Sequence, residues 1–308
     1  MAEKTIREVS ELWRSDKKQY VKQSTYSAYS LILDIHLIPY FGDSVRVEEE
    51  DVQHFVNVKL GEGMAQRTIH GLLVVLKMVV RFGAKMGLGW NSEWEINFPT
   101  TGHAKEIEVL TVMNQKKLLQ YIESNFSFRN LGIYICLSCG LRIGEVCALK
   151  WSDVDVTDGV IRVNKTIERV SFNSGQSRYT KVLIGTPKTH NSIREVPISR
   201  GLMKLLRPLT RVVNGDCYIL SNDVRPIEPR TYRNYYNRLI DELEIPRIKF
   251  HGLRHSFATR CIQSNCDYKT VSVLLGHSNV GTTLNLYVHP NLEQKKKCID
   301  KAMKYFQH

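Results

Sequence analysis

His251-Gly252-Leu253-Arg254-His255-Ser256-Phe257-Ala258 reads as the opening turns of a helix, with His251 and Arg254 three residues apart and therefore on one face. His251 and His255 also stand at the i,i+4 spacing that suits zinc, but the glutamate of the metalloprotease motif is missing and no third ligand suggests itself. Upstream, Gly140-Leu141-Arg142-Ile143-Gly144-Glu145 runs into Ala148-Leu149-Lys150-Trp151 and repeats the spacing with Arg142 and Glu145. On a helix that carboxylate would steady the guanidinium; the alternative is a surface ion pair contributing about 0–1 kcal/mol. Downstream come Leu274-Leu275-Gly276-His277 and then Tyr287-Val288-His289. A helical tyrosine is normally core or rim, so Tyr287 taken alone carries no function.

Between these segments the pattern is mixed. Helices are expected around Met113–Glu123 and Leu131–Lys150, followed by the strand-like alternation of Gly159-Val160-Ile161-Arg162-Val163. Runs near Lys181–Ile184 and Arg194–Ile198 flank Pro187-Lys188-Thr189-His190-Asn191-Ser192, which reads as a β-hairpin with a basic tip. Helices resume from Leu202, and a lysine-rich tail after Pro290 has room for a helix carrying Leu292, Ile299, Met303 and Phe306.

The first hundred residues read as a four-helix bundle. Ile6, Val9, Leu12 and Trp13 make one stripe, Tyr26–Leu37 a second helix capped by Ser24 or Thr25, and Val52, Phe55, Val56 and Leu60 a third ending at Gly61-Glu62-Gly63. The fourth runs from near Gln66 to Gly87. Asn91–Glu108, with Pro99 and Gly102, lacks a period and reads as a linker. The expected division is 1–100 for the bundle, 101–108 for the linker and 109–308 for a second domain, with a fold that is mainly α plus a small antiparallel β-sheet.

Charge separates the two parts. Residues 1–100 carry 12 basic and 13 acidic side chains, and residues 101–308 carry 31 and 18, so residues 101–308 hold all of the positive excess behind the chain's net charge of +12. Such a surface favours a polyanion such as nucleic acid. The longest apolar candidate, Leu72–Val80, is too short to span a bilayer and contains Lys77, and Met1-Ala2-Glu3-Lys4 lacks a signal-peptide core. No membrane partner and a cytoplasmic location are expected. Seven scattered cysteines point to reduced thiols, with Cys136 and Cys139 read as core and not as zinc ligands.

In order, the segments make a pattern of Arg, Lys, His-x-x-Arg, His and Tyr, which resembles the signature of the tyrosine recombinases, the phage lambda integrase and Xer families. Gly140–Glu145 looks like the first-arginine motif, Thr186-Pro187-Lys188-Thr189 like the lysine motif and His251–His255 like the second-arginine motif. Leu275-Gly276-His277-Ser278 with Thr282-Thr283 and Tyr287 looks like the terminal motif. The resemblance covers about two-thirds of the chain. It implies a SAM-like core-binding bundle before an α+β catalytic domain. It also implies catalysis by Arg142, Lys188, His251, Arg254, His277 and Tyr287, with Glu145 in support.

The implied chemistry suits these residue types. Attack on a DNA phosphodiester adds charge to its non-bridging oxygens, and two guanidiniums offer paired N–H donors there without a metal. Tyr287 would be the nucleophile, weak on its own because a phenol of pKa about 10 is only ~0.1% ionised at pH 7. By resemblance His251 accepts its proton or binds phosphate, His277 donates to a phosphate oxygen, and Lys188 protonates the leaving 5′-oxygen. A 3′-phosphotyrosyl intermediate conserves the linkage energy, so neither cofactor nor ATP is expected. The implied partners are duplex DNA with specific recombination sites, three further copies of the chain engaged through the C-terminal helix, and accessory DNA-bending proteins. With no room before the bundle for an arm-site domain, a simpler integrase, invertase or resolvase is expected. The alternatives are a type IB topoisomerase-like enzyme and an inactive DNA-binding regulator.

Overall fold

The computed structural model describes residues 3–100, 107–173, 177–187, 190–287 and 292–303. Contacts group the chain into two units, Met1–Ala104 with Arg169–Val182, and Lys105–Glu168 with Leu183–His308.

In the first unit, α1 (Ile6–Lys17) opens with a reciprocal cap: the Thr5 hydroxyl accepts from the Glu8 amide and the Glu8 carboxylate from the Thr5 amide. It buries Ile6, Val9 and Trp13, while Leu12 stays exposed. The second helix starts earlier than expected. Lys22 precedes α2 (Gln23–Ile32), so Ser24 and Thr25 lie inside the helix and do not cap it. A wide turn, Leu33–Leu37, leads into α3 (Ile38–Phe41). α4 (Glu49–Gly61) and α5 (Gln66–Lys85) complete the core with Val52, Phe55, Leu72, Leu76 and Val79. The aperiodic stretch after Asn91 is not a free linker over its first part. Trp90 and Trp94 are 8% exposed and belong to this core, and Gln53 holds the Asn97 main chain. Large aromatic side chains anchor a segment that no helical or strand period marks.

The second unit begins with α6 (Val112–Ser124), α7 (Phe128–Cys139) and α8 (Ile143–Ala148). The single helix expected over Leu131–Lys150 is broken at Gly140, whose backbone is left-handed at φ 64°. A Cβ there would come within 2.6 Å of Phe257 and 2.9 Å of Leu275. Three strands, β1 (Val154–Asp155), β2 (Val160–Val163) and β5 (Arg194–Pro197), form an antiparallel sheet with Ile161 opposite Val196 and Val163 opposite Arg194. β3 (Thr166–Asn173) and β4 (Arg178–Gly185), most of whose residues group with the first unit, form a separate two-stranded sheet.

The expected hairpin is thereby corrected: Lys181–Ile184 and Arg194–Ile198 do not pair, and the Pro187–Ser192 segment connects two sheets. Burial explains the difference. Arg194 and Val196 point into the core beside β2, whereas Val182 and Ile184 stay 39% and 47% exposed.

The remaining helices are α9 (Arg200–Leu209), α10 (Pro229–Glu242), α11 (His251–Gln263), α12 (Tyr268–Leu275), α13 (Val280–Tyr287) and α14 (Leu292–Met303). α11 packs along α7 and buries Leu253, Arg254, Ser256 and Ala258. The Leu110 amide donates to Ser256 and the Leu110 carbonyl accepts from Arg260, one turn further on, so the backbone of Leu110 is tied to one face of this helix. Cys136 and Cys139 are free thiols inside the core. Among the described residues no helix is long and apolar enough to cross a membrane.

Candidate active site

Three arginines meet at the C-terminal end of α12. A helix end leaves its last carbonyls without intrahelical partners and carries partial negative charge. Here the Leu274 carbonyl accepts from Arg194 Nε at 2.7 Å, the Leu275 carbonyl from Arg254 Nη2 at 2.6 Å and the Gly276 carbonyl from Arg142 Nη2 at 3.4 Å. Gly276 is left-handed at φ 64°, which turns the chain out of the helix and towards His277. Arg254 also donates to the carbonyl of Gly140, likewise left-handed, at 2.9 Å. It is 1% exposed; burial and neighbouring Arg142 push it down to about 9, so it keeps its charge at neutral pH.

Arg142 stands immediately before α8 instead of within a longer helix. Glu145 answers it twice: the carboxylate accepts from the Arg142 amide at 2.9 Å and from its Nη1 at 2.8 Å. The same carboxylate takes two guanidinium nitrogens of Arg194 at 3.2 and 3.0 Å. Burial pushes the Glu145 carboxyl up, and Arg194 and Arg142 pull it down further, leaving it below the ordinary range. Glu145 is thus the ionised centre of an Arg–Glu–Arg triad.

His277 hydrogen-bonds Thr283 through Nδ1 at 2.9 Å, which leaves Nε2 for a ligand. Burial, then Arg254 and Arg142, push its pKa down to about 4, and burial, His255 and Arg254 do the same for His251. His251 stacks edge-on to His255 at 4.6 Å. Tyr287 ends α13, packed beside the small cluster of Ala258, Val271 and Leu275. Its phenol oxygen is 2.5 Å from His255 Nδ1. Burial pushes the phenol up to about 12, against the pull of Arg254 and Arg142.

A cleft of about 460 Å³ opens beside this cluster, lined by Arg142, Glu145, Ser192, Gly276, His277 and Thr282 among others. Arg254, His251 and Tyr287 are outside that lining. Lys188 lies outside the described residues. Of the expected site residues, Arg142 and Glu145 are hydrogen-bonded to each other, Arg142 and Arg254 donate to successive carbonyls at the end of α12, and His277 follows the second of these and lines the cleft with Arg142 and Glu145. Tyr287 and His251 join the group through His255. Among the described residues no group of three His, Cys, Asp or Glu side chains is placed to hold a metal.

Residues 108–294 match the model of the phage integrase family, and residues 5–59 match the phage integrase N-terminal SAM-like domain. The chain belongs to the phage integrase family. It is a tyrosine-type site-specific recombinase, an enzyme that breaks and rejoins DNA. A XerC-like tyrosine recombinase from Caldanaerobacter subterraneus subsp. tengcongensis is 29% identical over 280 residues, covering 82% of this chain and 70% of that one. The ICEBs1 integrase of Bacillus subtilis is 23% identical over 295 residues, covering 91% and 77%. The Tn1549 transposon integrase, solved in complex with a circular intermediate DNA, shares the fold at TM-score 0.77 and 20% identity over 97% of this chain and 99% of that one. A lambda integrase tetramer bound to a Holliday junction superposes at TM-score 0.64 and 17% identity, covering 94% and 79%.

Two residues of this cluster carry no local mark in the recombinase's sequence. Arg194 sits in a strand where an arginine reads as solvent-facing; only its partners, 49 and 80 residues away, reveal it as buried. In the sequence His255 stands at i,i+4 from His251 and closes the second-arginine motif, neither of which points to Tyr287; its place on α11, one position after Arg254, turns it there.

Proposed function

We propose that Tyr287 is the nucleophile of this recombinase and that Arg142, Arg254, His251 and His277 bind the scissile phosphate, with Lys188 as the acid for the leaving group. The observation that supports this most directly is the gathering of Arg142 and Arg254 at the end of α12, near enough to Tyr287 for both charges to act on its phenol. In the forward step the Tyr287 oxygen bonds to phosphorus, the bond from phosphorus to the 5′-oxygen breaks, and Lys188 protonates that oxygen. The product is a 3′-phosphotyrosyl bond and a free 5′-hydroxyl, and attack by a second 5′-hydroxyl reverses the step. The guanidiniums meet the charge on the non-bridging oxygens as it develops. His277, fixed through Thr283, adds a donor.

The substrate in this reading is duplex DNA carrying specific recombination sites, bound by both domains through phosphate contacts, so that affinity falls steeply with salt. Four copies act together, joined through the C-terminal helix, with accessory DNA-bending proteins at some sites and the reaction taking place in the cytoplasm. The solved lambda integrase tetramer supports the fourfold assembly by analogy.

The test is a nicked suicide duplex carrying the DNA that flanks the protein's own gene, incubated with wild type and Tyr287→Phe. A covalent protein–DNA band is expected in denaturing gels with wild type only. Specific binding without any band would instead support a DNA-binding regulator.

A further inference from the structure

Tyr287 must lose a proton as its oxygen bonds to phosphorus, and the family pattern offers His251 as one candidate to take it. Among the described residues, however, the imidazole within hydrogen-bond reach of the phenol is that of His255, with Nδ1 2.5 Å from the Tyr287 oxygen and ring centroids 5.5 Å apart at 54°. From these contacts we infer that His255 is the proton acceptor for Tyr287 during cleavage and returns the proton during religation, leaving His251 as a phosphate ligand. The inference rests on Tyr287 being the nucleophile.

The surroundings set the direction of that hydrogen bond. His255 faces Tyr287 on α13 and has His251 and Arg254 on its own helix. α12 contributes Val271 and Leu275 to the apolar cluster beside Tyr287, and the phenol also feels Arg142 before α8. The carboxylate of Glu145 is engaged by Arg142 and Arg194. Burial and Arg254 hold His255 below its ordinary value of 6.5, and burial holds Tyr287 near 12, so at neutral pH the phenol donates and a neutral Nδ1 accepts. That is the protonation state a general base requires. Transfer is uphill in the empty site and becomes favourable as the phenol oxygen acquires its bond to phosphorus.

The step balances. The Tyr287 O–H bond breaks and an Nδ1–H bond forms on His255, while the Tyr287 O–P bond forms and the bond to the 5′-oxygen breaks. Lys188 supplies the proton that this oxygen takes. In religation each proton goes back the way it came, so the enzyme ends in its starting state. His251, 4.6 Å from His255 with its ring edge-on, remains free to donate to a non-bridging oxygen.

The decisive variant is His255→Asn in the full-length chain. The asparagine amide oxygen stands close to where Nδ1 stands, so it accepts the same hydrogen bond but cannot take the proton. Single-turnover cleavage of the suicide duplex is followed from pH 5.5 to 9.5, with site binding measured by fluorescence anisotropy. Expected are binding within about twofold of wild type, a cleavage rate lowered roughly 10²–10⁴-fold at pH 7, and recovery as pH rises and hydroxide replaces the base. His255→Ala should regain cleavage when imidazole is added, in proportion to the neutral imidazole present. Cleavage by His255→Asn within threefold of wild type, with an unchanged pH profile, would overturn the inference. Should His255→Asn not fold, absence of imidazole rescue in His255→Ala overturns it equally. Tyr287→Phe separates the two readings: if it still forms the adduct, the assignment of Tyr287 fails and the role of His255 falls with it. If it forms none while His255→Asn behaves as wild type, only the role of His255 fails.

Discussion

Arg194 grips Glu145 with two guanidinium nitrogens at 3.2 and 3.0 Å, and the two side chains expose only 5% and 2% of their surface. Because the same carboxylate also holds Arg142, the pair does more than neutralise a buried charge. It ties strand β5, the start of α8 and, through the Leu274 carbonyl, the end of α12 into one rigid base under the cleft. The guanidinium of Arg142, proposed above to bind the scissile phosphate, is thereby held by a partner that is itself immobilised.

Breaking this pair from one side leaves an uncompensated buried charge. Glu145→Gln and Arg194→Met are each expected to lower unfolding free energy by about 3–5 kcal/mol. The double variant should lose clearly less than the sum, since neither charge is then left alone. Urea unfolding of the three variants measures this, and strictly additive losses would show that the pair does not act as a unit. Arg194→Lys, which keeps the charge but loses the two-pronged geometry, should fold better than Arg194→Met yet cleave more slowly than wild type.

The pH dependence of stability has two sources with one sign. His251 and His277 are held near 4 in the folded chain against an ordinary 6.5, so between those values the unfolded chain binds protons that the folded chain refuses. Stability therefore falls as pH drops through that window. Glu145, depressed by its arginines, adds stability above the ordinary 4.5, which is lost as pH falls through its lower folded value. Thermal unfolding without DNA should show a steady decline in Tm from pH 7 to pH 5, and His277→Asn should flatten it. A bound phosphate reverses the electrostatics at both imidazoles. Site binding should then take up protons, detectable by calorimetry in buffers of different ionisation enthalpy; binding with no proton uptake at pH 6 would argue against contact between these histidines and phosphate.

Gly276 turns the chain at the point where three carbonyls meet three arginines. A side chain there is strained at φ 64°, and its Cβ would come 2.8 Å from the Asn191 carbonyl oxygen and 3.2 Å from Arg194 Cδ. Gly276→Ala should cost about 1–3 kcal/mol. Its cleavage rate should fall more than its DNA affinity, because the shifted carbonyls are those that aim Arg254 and Arg142. Gly63→Ala is the control: the backbone is similarly left-handed at φ 79° but nothing lies within 4 Å, so stability should drop without a change in cleavage per folded molecule. Equal effects of the two substitutions on cleavage would sink the positional argument.

What could be read from the sequence follows how local each signal is. The stripes of α4 and α5, the start of α11 at His251 and the strand Val160–Val163 rest on neighbours within a few residues, and they were legible. The break at Gly140 was hidden because the apolar run continues across it, and only packing against Phe257 and Leu275 requires the left-handed turn. The pairing of β5 is not legible, because two alternating runs say nothing of their partners; β5 joins β2, some thirty residues back, and not the adjacent β4. The motif residues Arg142, Arg254, His277 and Tyr287 could be named without a structure. Arg194 and His255 could not, since their roles exist only in contacts 49 and 32 residues away.

The last helix carries Leu292, Ile299 and Met303, 69%, 62% and 50% exposed, at spacings that put them on one face. A helix that packed in cis would cover such a row, so the exposed face suits docking on a neighbouring copy in the assembled complex. Ile299→Glu, or removal of residues after 290, is expected to leave site binding and first-strand cleavage within a few-fold of wild type. Strand exchange between two sites should be lost. Sedimentation of DNA complexes should show single bound copies or pairs in place of the four-subunit species proposed for wild type. Loss of cleavage in parallel with strand exchange, at unchanged folding, would mean that the tail acts on its own active site, with the row then serving to seat Tyr287 and not to join subunits.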